Sequence, residues 1–263
     1  MDYVICARDI IKKDKRFGSE PASSTYLAVP EDAATLPKAT PDQMREPDVW
    51  AKKVIAEARK GVAAGAFGNL LVFVHGYNNS QTTVMQRHRR LRDDLRAAEF
   101  KGIVVSFDWP SGDIGAFYLE DLVDANKSAF QLVSDGIMLL AKYQEPTCEI
   151  NIHLLAHSMG AYVTREAFKA ADDADDLAGR TWHVSQIMLI AGDISARSLR
   201  ESDQRSEGLF RSCTRLTNYS SRHDGVLGLS NFKRAGVAPR AGRVGLPDDA
   251  PSQSVNVDCS DYF

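Results

Sequence analysis

Charge of one sign, long apolar runs and cysteine are all scarce in this sequence. Across 263 residues, Lys and Arg number 32 against 35 Asp and Glu, a net charge of −3 with a pI near 6.1. No global field is available to hold nucleic acid or an anionic membrane surface. The longest apolar stretches, such as residues 69–75 and 187–191, fall far short of the roughly 20 residues that cross a bilayer. The four cysteines, Cys6, Cys148, Cys213 and Cys259, lie far apart without CxxC spacing or nearby His pairs. That pattern argues against a zinc site and a disulfide framework and leaves ordinary buried thiols. The opening MDYVICARDI has an acid at Asp2 and neither a basic n-region nor a long h-region. It reads as the start of a strand, and the expected compartment is the cytoplasm. No GxxxxGK[ST] or dinucleotide fingerprint follows any strand, which removes nucleotide-dependent phosphoryl and hydride transfer. No internal repeat is visible, and no metal or organic cofactor is implied.

Hydrophobic residues make up 44% and charged residues 25%, a composition that excludes disorder and fits one globular domain over residues 1–263. Residues 1–65 read as an irregular lead-in. They hold short strand-like runs at 3–7 and 25–29, a Pro-spaced polar stretch at 30–47, and a helical run at 48–60 that stops at Gly61. From Asn69 apolar strands alternate with long amphipathic helices. NLLVFV, GIVVSFDW, NIHLLA, VSQIMLIAG and TRLTNYS are the strands; helices are expected over about 80–100, 117–143 and 160–171. In the second helix Phe130, Val133, Ile137 and Leu140 lie near a 3.6-residue period. The pattern predicts a three-layer α/β fold with a mostly parallel central sheet covered on both faces. In such sheets ligands gather beyond the carboxyl ends of the strands.

After NIHLLA comes Ala156-His157-Ser158-Met159-Gly160, with a helix starting at once. Small residues two positions either side of a serine, between an apolar strand and a helix, are the pattern of a nucleophile elbow, here with Ala in place of the first Gly. The alternative is that Ser158 only caps the helix. After NLLVFV comes His75-Gly76-Tyr77-Asn78-Asn79-Ser80. Gly76 lets the backbone approach a substrate, so that the Tyr77 and Met159 amides would form a two-donor oxyanion hole. His75 in such a turn more often packs structurally than acts as a base. Trp109 in Trp109-Pro110-Ser111 reads equally as a wall of the substrate pocket, with Gly76, or as a core tryptophan. Asp193 and Asp224 each follow a later strand, and either can orient a histidine. Asp224 in Ser-Ser-Arg-His-Asp-Gly is favoured, because Asp193 can instead cap a helix near Ser195.

With these residues assembled, the chain resembles the α/β-hydrolase superfamily. More narrowly, it resembles a bacterial esterase/lipase-like family of uncharacterised function with VHGYN, F-x-WPS, L-x-AHSMG and S-x-x-D-x-x-L motifs. Here they read VHGYNNS, FDWPS, LLAHSMG and SSRHDGVL, followed by Arg243-Val244-Gly245. The resemblance implies a serine hydrolase acting on a small-molecule acyl ester, with Ser158 as nucleophile and Asp224 as acid. It also implies a histidine after the last strand, expected over 254–259. No histidine follows His223. Three accounts are open. The base lies beyond Phe263 in a longer chain; or His223 serves, oriented by Asp193; or the fold is a catalytically silent scaffold that binds a ligand or a protein partner. His157 is expected to diverge from the Ser158 hydroxyl, and His88, His153 and His183 to be structural. The basic run 87–92 is expected to be a solvated helix face, and Asp172, Asp173, Asp175 and Asp176 a solvated helix end.

Overall fold

Apolar strands of five to ten residues that alternate with helices have one way to bury both faces, which is to pair in parallel between helical layers. The computed structural model describes residues 1–32, 37–38, 40, 43–111, 118–142, 150–174, 182–227 and 238–262, with the backbone alone over 118–124. Cys148, Asp175, Asp176 and both ends of the helix expected over 117–143 lie outside them. The strands are β1 (Asp2–Ile11), β2 (Arg16–Val29), β3 (Met44–Arg45), β4 (Gly68–Val74), β5 (Gly102–Asp108), β6 (Ile150–His157), β7 (Val184–Ile190), β8 (Cys213–Ser220) and β9 (Ser254–Asp258). They form one sheet in the order β3-β2-β1-β5-β4-β6-β7-β8-β9. β2 runs antiparallel to its neighbours β1 and β3, and every other neighbouring pair is parallel.

The larger core lies on the face covered by α1 (Pro47–Ala58), α3 (Tyr118–Gln131), α4 (Met138–Ala141) and α5 (Met159–Asp173). Nine of its buried members, among them Val72, Val74, Phe107, Ile152 and Leu154, come from the three central strands β4, β5 and β6. On the other face Met85 of α2 (Gln81–Ala97) packs against Val4, Cys6, Leu27 and Val29. The expected three-layer arrangement is therefore the one observed. α3 passes into α4 through a π-helical turn, Leu132–Ile137. Val133, Ile137 and Leu140 are buried as their period requires, whereas Phe130 is exposed.

The irregularity expected of residues 1–65 does not extend over residues 2–29, which form a two-stranded hairpin. Register shifts between Cys6 and Arg8 and between Arg8 and Ile10 break the period-two pattern by which a strand is read. A second correction concerns the basic run. Arg90 is exposed, but His88 is buried, and His88, Arg89 and Arg92 converge on the fully buried Asp2 carboxylate. A buried carboxylate needs opposite charge around it; those partners hold the Asp2 carboxyl far below the usual range against the upward push of burial.

Candidate active site

Between β6 and α5 the chain turns in one residue. Ser158 has φ 52° and ψ −121°, a left-handed φ that costs a non-glycine residue about 1–3 kcal/mol and persists only where its surroundings enforce it. They do. The Ser158 N–H donates to Ile190 O at 3.0 Å, and Ser158 O accepts from the Ala161 and Asp193 amides at 3.0 and 2.9 Å. The hydroxyl makes no capping bond to α5, so the cap alternative does not hold. Gly160 is required by close approach. A Cβ there would stand 2.3 Å from Val74 O and 2.6 Å from His75 O, so any side chain would drive α5 off β4. Gly76 is required for the same reason, because its Cβ would stand 2.8 Å from Ser158 Cβ. This contact sets Tyr77, the next residue, beside the elbow. Met159 follows Ser158 as the first residue of α5, where an amide has no carbonyl partner within its own helix.

The loop after β4 is held from below. The Asn79 side-chain amide donates to Gly76 O at 2.7 Å and to Tyr77 O at 2.8 Å. His75 is fully buried, with Nδ1 2.9 Å from Gly76 O and Nε2 3.3 Å from Asp108 Oδ1. Both ring nitrogens thus face oxygen acceptors, which agrees with the structural reading of His75. Trp109 is corrected from a candidate pocket wall to a core residue. It is fully buried, it stacks on His75 at 5.4 Å, and its indole N–H finds its acceptor in His75 O at 2.9 Å. Burial alone would raise the Asp108 carboxyl, but the Arg8 charge and His75 bring it down to about 2. The stability this pairing contributes is present above the ordinary value of 3.8 and is lost as pH falls through about 2.

Beyond the ends of β7, β8 and β9 lies a cavity of about 470 Å³, walled by Ile190, Ala191, Tyr219 and Cys259 and faced by His157, His223 and Asp224. Cys259 is half-buried rather than buried as expected. Asp224 Oδ1 accepts the Leu227 amide at 2.9 Å. His223 is exposed and takes the Arg222 Nε–H on its Nε2 at 3.4 Å. The structure thus brings Asp224, not Asp193, to the cavity that His223 faces. The Asp193 carboxylate lies 3.2 Å from Arg240 Nε in a buried ion pair, which ties the end of β7 to the chain at residue 240. His157 Nδ1 is buried and has no hydrogen-bond partner among the described residues. Nδ1 lies 3.0 Å, and Ser158 Cβ 2.8 Å, from where a Gly76 Cβ would stand. Burial, with the Arg87 and His75 charges, pushes the His157 imidazole down to about 4 against the opposing pull of Asp224.

The other histidines bind elsewhere: His88 to Ser106, His153 to Asn69 and His183 to Thr214. Sequence reasoning missed Arg8, Asp108 and Asn79. The available signal was a charge inside or at the end of an apolar strand, in DYVICARDII and GIVVSFDW.

A family model described as alpha/beta hydrolase of unknown function (DUF900) matches residues 52–257. The chain belongs to this family. Strands β4 to β8, the elbow and the loop after β4 lie within the matched span, whereas β1, β2 and β3 precede it. Among solved structures it is similar to esterase B from Lactobacillus rhamnosis, at 10% identity over 75% of this chain and 68% of that one, with a TM-score of 0.37. It is also similar to acyl-protein thioesterase 2 from Zea mays, at 16% identity over 74% and 85% of the two chains, with a TM-score of 0.40. A comparison with curated proteins finds no match. Among the described residues no helix is long and apolar enough to cross a membrane.

Proposed function

We propose that this alpha/beta hydrolase is a serine hydrolase that cleaves a carboxylic ester, or a related acyl compound, through an acyl-serine intermediate. The observation that carries this reading is the strained Ser158 turn, whose hydroxyl does not cap α5. Ser158 Oγ attacks the acyl carbonyl, and the Tyr77 and Met159 amides receive the oxyanion. A histidine held against Asp224 takes the Ser158 proton and returns it to the leaving alcohol; water then releases the acid. The cavity beside the elbow is the space for the acyl compound. Covalent labelling with a fluorophosphonate, read by intact mass, tests the reading: one adduct is expected, absent in Ser158→Ala. Asp224→Asn is expected to slow labelling and to blunt its response to added imidazole. A folded protein that takes no label, with or without added imidazole, would overturn it.

One observation favours a second reading, a silent scaffold that binds a ligand in the same cavity. Among the described residues no histidine bonds the Asp224 carboxylate, which instead accepts the Leu227 amide. Saturable binding of a short-chain ester without turnover would select this reading.

A further inference from the structure

We propose that the buried ion pair between Arg8 and Asp108 sets the loop that carries Tyr77, so that the N-terminal hairpin is a working part of the active site. The proposal rests on the serine-hydrolase reading and adds positioning residues to it. Arg8 lies outside the span matched by the family, at the bulge of β1. Because β1 runs parallel to β5 with Cys6 opposite Asp108, Arg8 projects two residues past Asp108, over the carboxyl edge of the sheet. There its Nε–H donates to Asp108 Oδ1 at 2.9 Å, while Nη2 reaches Trp109 O at 3.0 Å and Asn79 O at 3.3 Å. Asp108 Oδ1 also meets His75 Nε2 at 3.3 Å. One ion pair therefore grips both ends of the five-residue turn: His75 through the carboxylate, Asn79 through the guanidinium. Asn79 in turn binds the Gly76 and Tyr77 carbonyls, which fixes the peptide planes on either side of Tyr77.

All four residues are nearly inaccessible, with Arg8 at 4%, Asp108 at 1%, His75 at 0% and Asn79 at 1% exposure. A buried pair adds little stability over an apolar replacement of the same volume. What an apolar replacement lacks is direction: a planar fork that takes a carboxylate and two carbonyls at fixed angles. An oxyanion hole needs that, since its donors act only if they are aimed before the charge develops.

The test uses Arg8→Met/Asp108→Asn, which leaves no lone buried charge, with Arg8→Lys as the conservative variant. Fluorophosphonate inactivation is followed against probe concentration, and amide hydrogen exchange is read at Tyr77 and Asn78. In the double variant the maximal labelling rate is expected to fall about 10- to 100-fold with the half-saturating probe concentration unchanged. Exchange at Tyr77 and Asn78 should quicken while β6 stays protected, and Arg8→Lys should recover part of the rate. An unchanged maximal rate, with unchanged exchange, would overturn the proposal. If the wild-type protein takes no label, the hydrolase reading fails by itself, and unchanged exchange at Tyr77 and Asn78 would then still overturn the loop-setting role.

Discussion

On the β5 side of Ser158, Arg8, Asp108, His75 and Asn79 are buried and bonded into one network beneath a five-residue turn. On the β8 side the groups that line the cavity stand around open volume: Asp224 on its own turn, His223 exposed, His157 with a buried Nδ1 that has no hydrogen-bond partner among the described residues. Under the proposed function the contrast matches the two tasks of acyl transfer. Oxyanion binding gains from dipoles that do not move, so its supports are locked. Proton transfer needs a neutral base with a free lone pair and room for the group it serves, and the second side offers space and an uncharged imidazole.

Single substitutions can break this contrast, beginning with the largest expected effect. Arg8→Met alone strands the Asp108 carboxylate and is expected to cost about 3–5 kcal/mol in denaturant unfolding; adding Asp108→Asn should return more than half of it. A double variant no more stable than the single one would mean that the pair is not the unit. Gly160→Ala, which sets a methyl against two carbonyls of the β4 end, should cost about 3 kcal/mol and abolish labelling. Normal melting and labelling in that variant would contradict the close approach of α5 to β4.

A third effect sharpens the comparison through pH. His157 stays neutral in the folded chain down to about 4 but takes a proton near 6.5 when unfolded. Between those values the unfolded chain binds more protons, so stability falls as pH drops from 6.5 to about 4 and this loss ends below 4. The loss is on the order of 3 kcal/mol, and His157→Gln should flatten it in unfolding curves taken across that window. The smallest effect is expected at Arg222→Ala. Its guanidinium is exposed and touches only His223 among the contacts described, so a change within about 0.5 kcal/mol should result. An Arg222→Ala loss as large as that of Arg8→Met would erase the distinction between the two sides.

The two sides also differ in how far the sequence reveals them. The elbow is legible because its demands are local. A small residue, a serine and a glycine at fixed spacing between an apolar strand and a helix leave one turn that fits, and Ala156, Ser158 and Gly160 occupy it. The sheet is legible from apolar runs such as LLVFV and IHLLA for the same reason. The Arg8 network is not legible, because its partners are 71 and 100 residues apart in the chain and meet only through the register of β1 on β5. The run at 87–92 misleads similarly. Its charges look solvated until the hairpin brings Asp2 beneath them. Asp193 and Asp224 look alike as acids after strands; Arg240, distant in sequence, separates them by pairing with Asp193.

Under the proposed function, Ser158 is a nucleophile whose oxyanion side is preset and whose proton-transfer side has room for an imidazole. The most direct measurement is the rate of fluorophosphonate labelling of Ser158 in the wild-type protein across a series of imidazole concentrations, read by intact mass. A single adduct on Ser158 is expected, forming faster as imidazole rises, and less so in Asp224→Asn. A folded protein without an adduct at any imidazole concentration would contradict the nucleophile. A labelling rate indifferent to imidazole would contradict the contrast between the two sides.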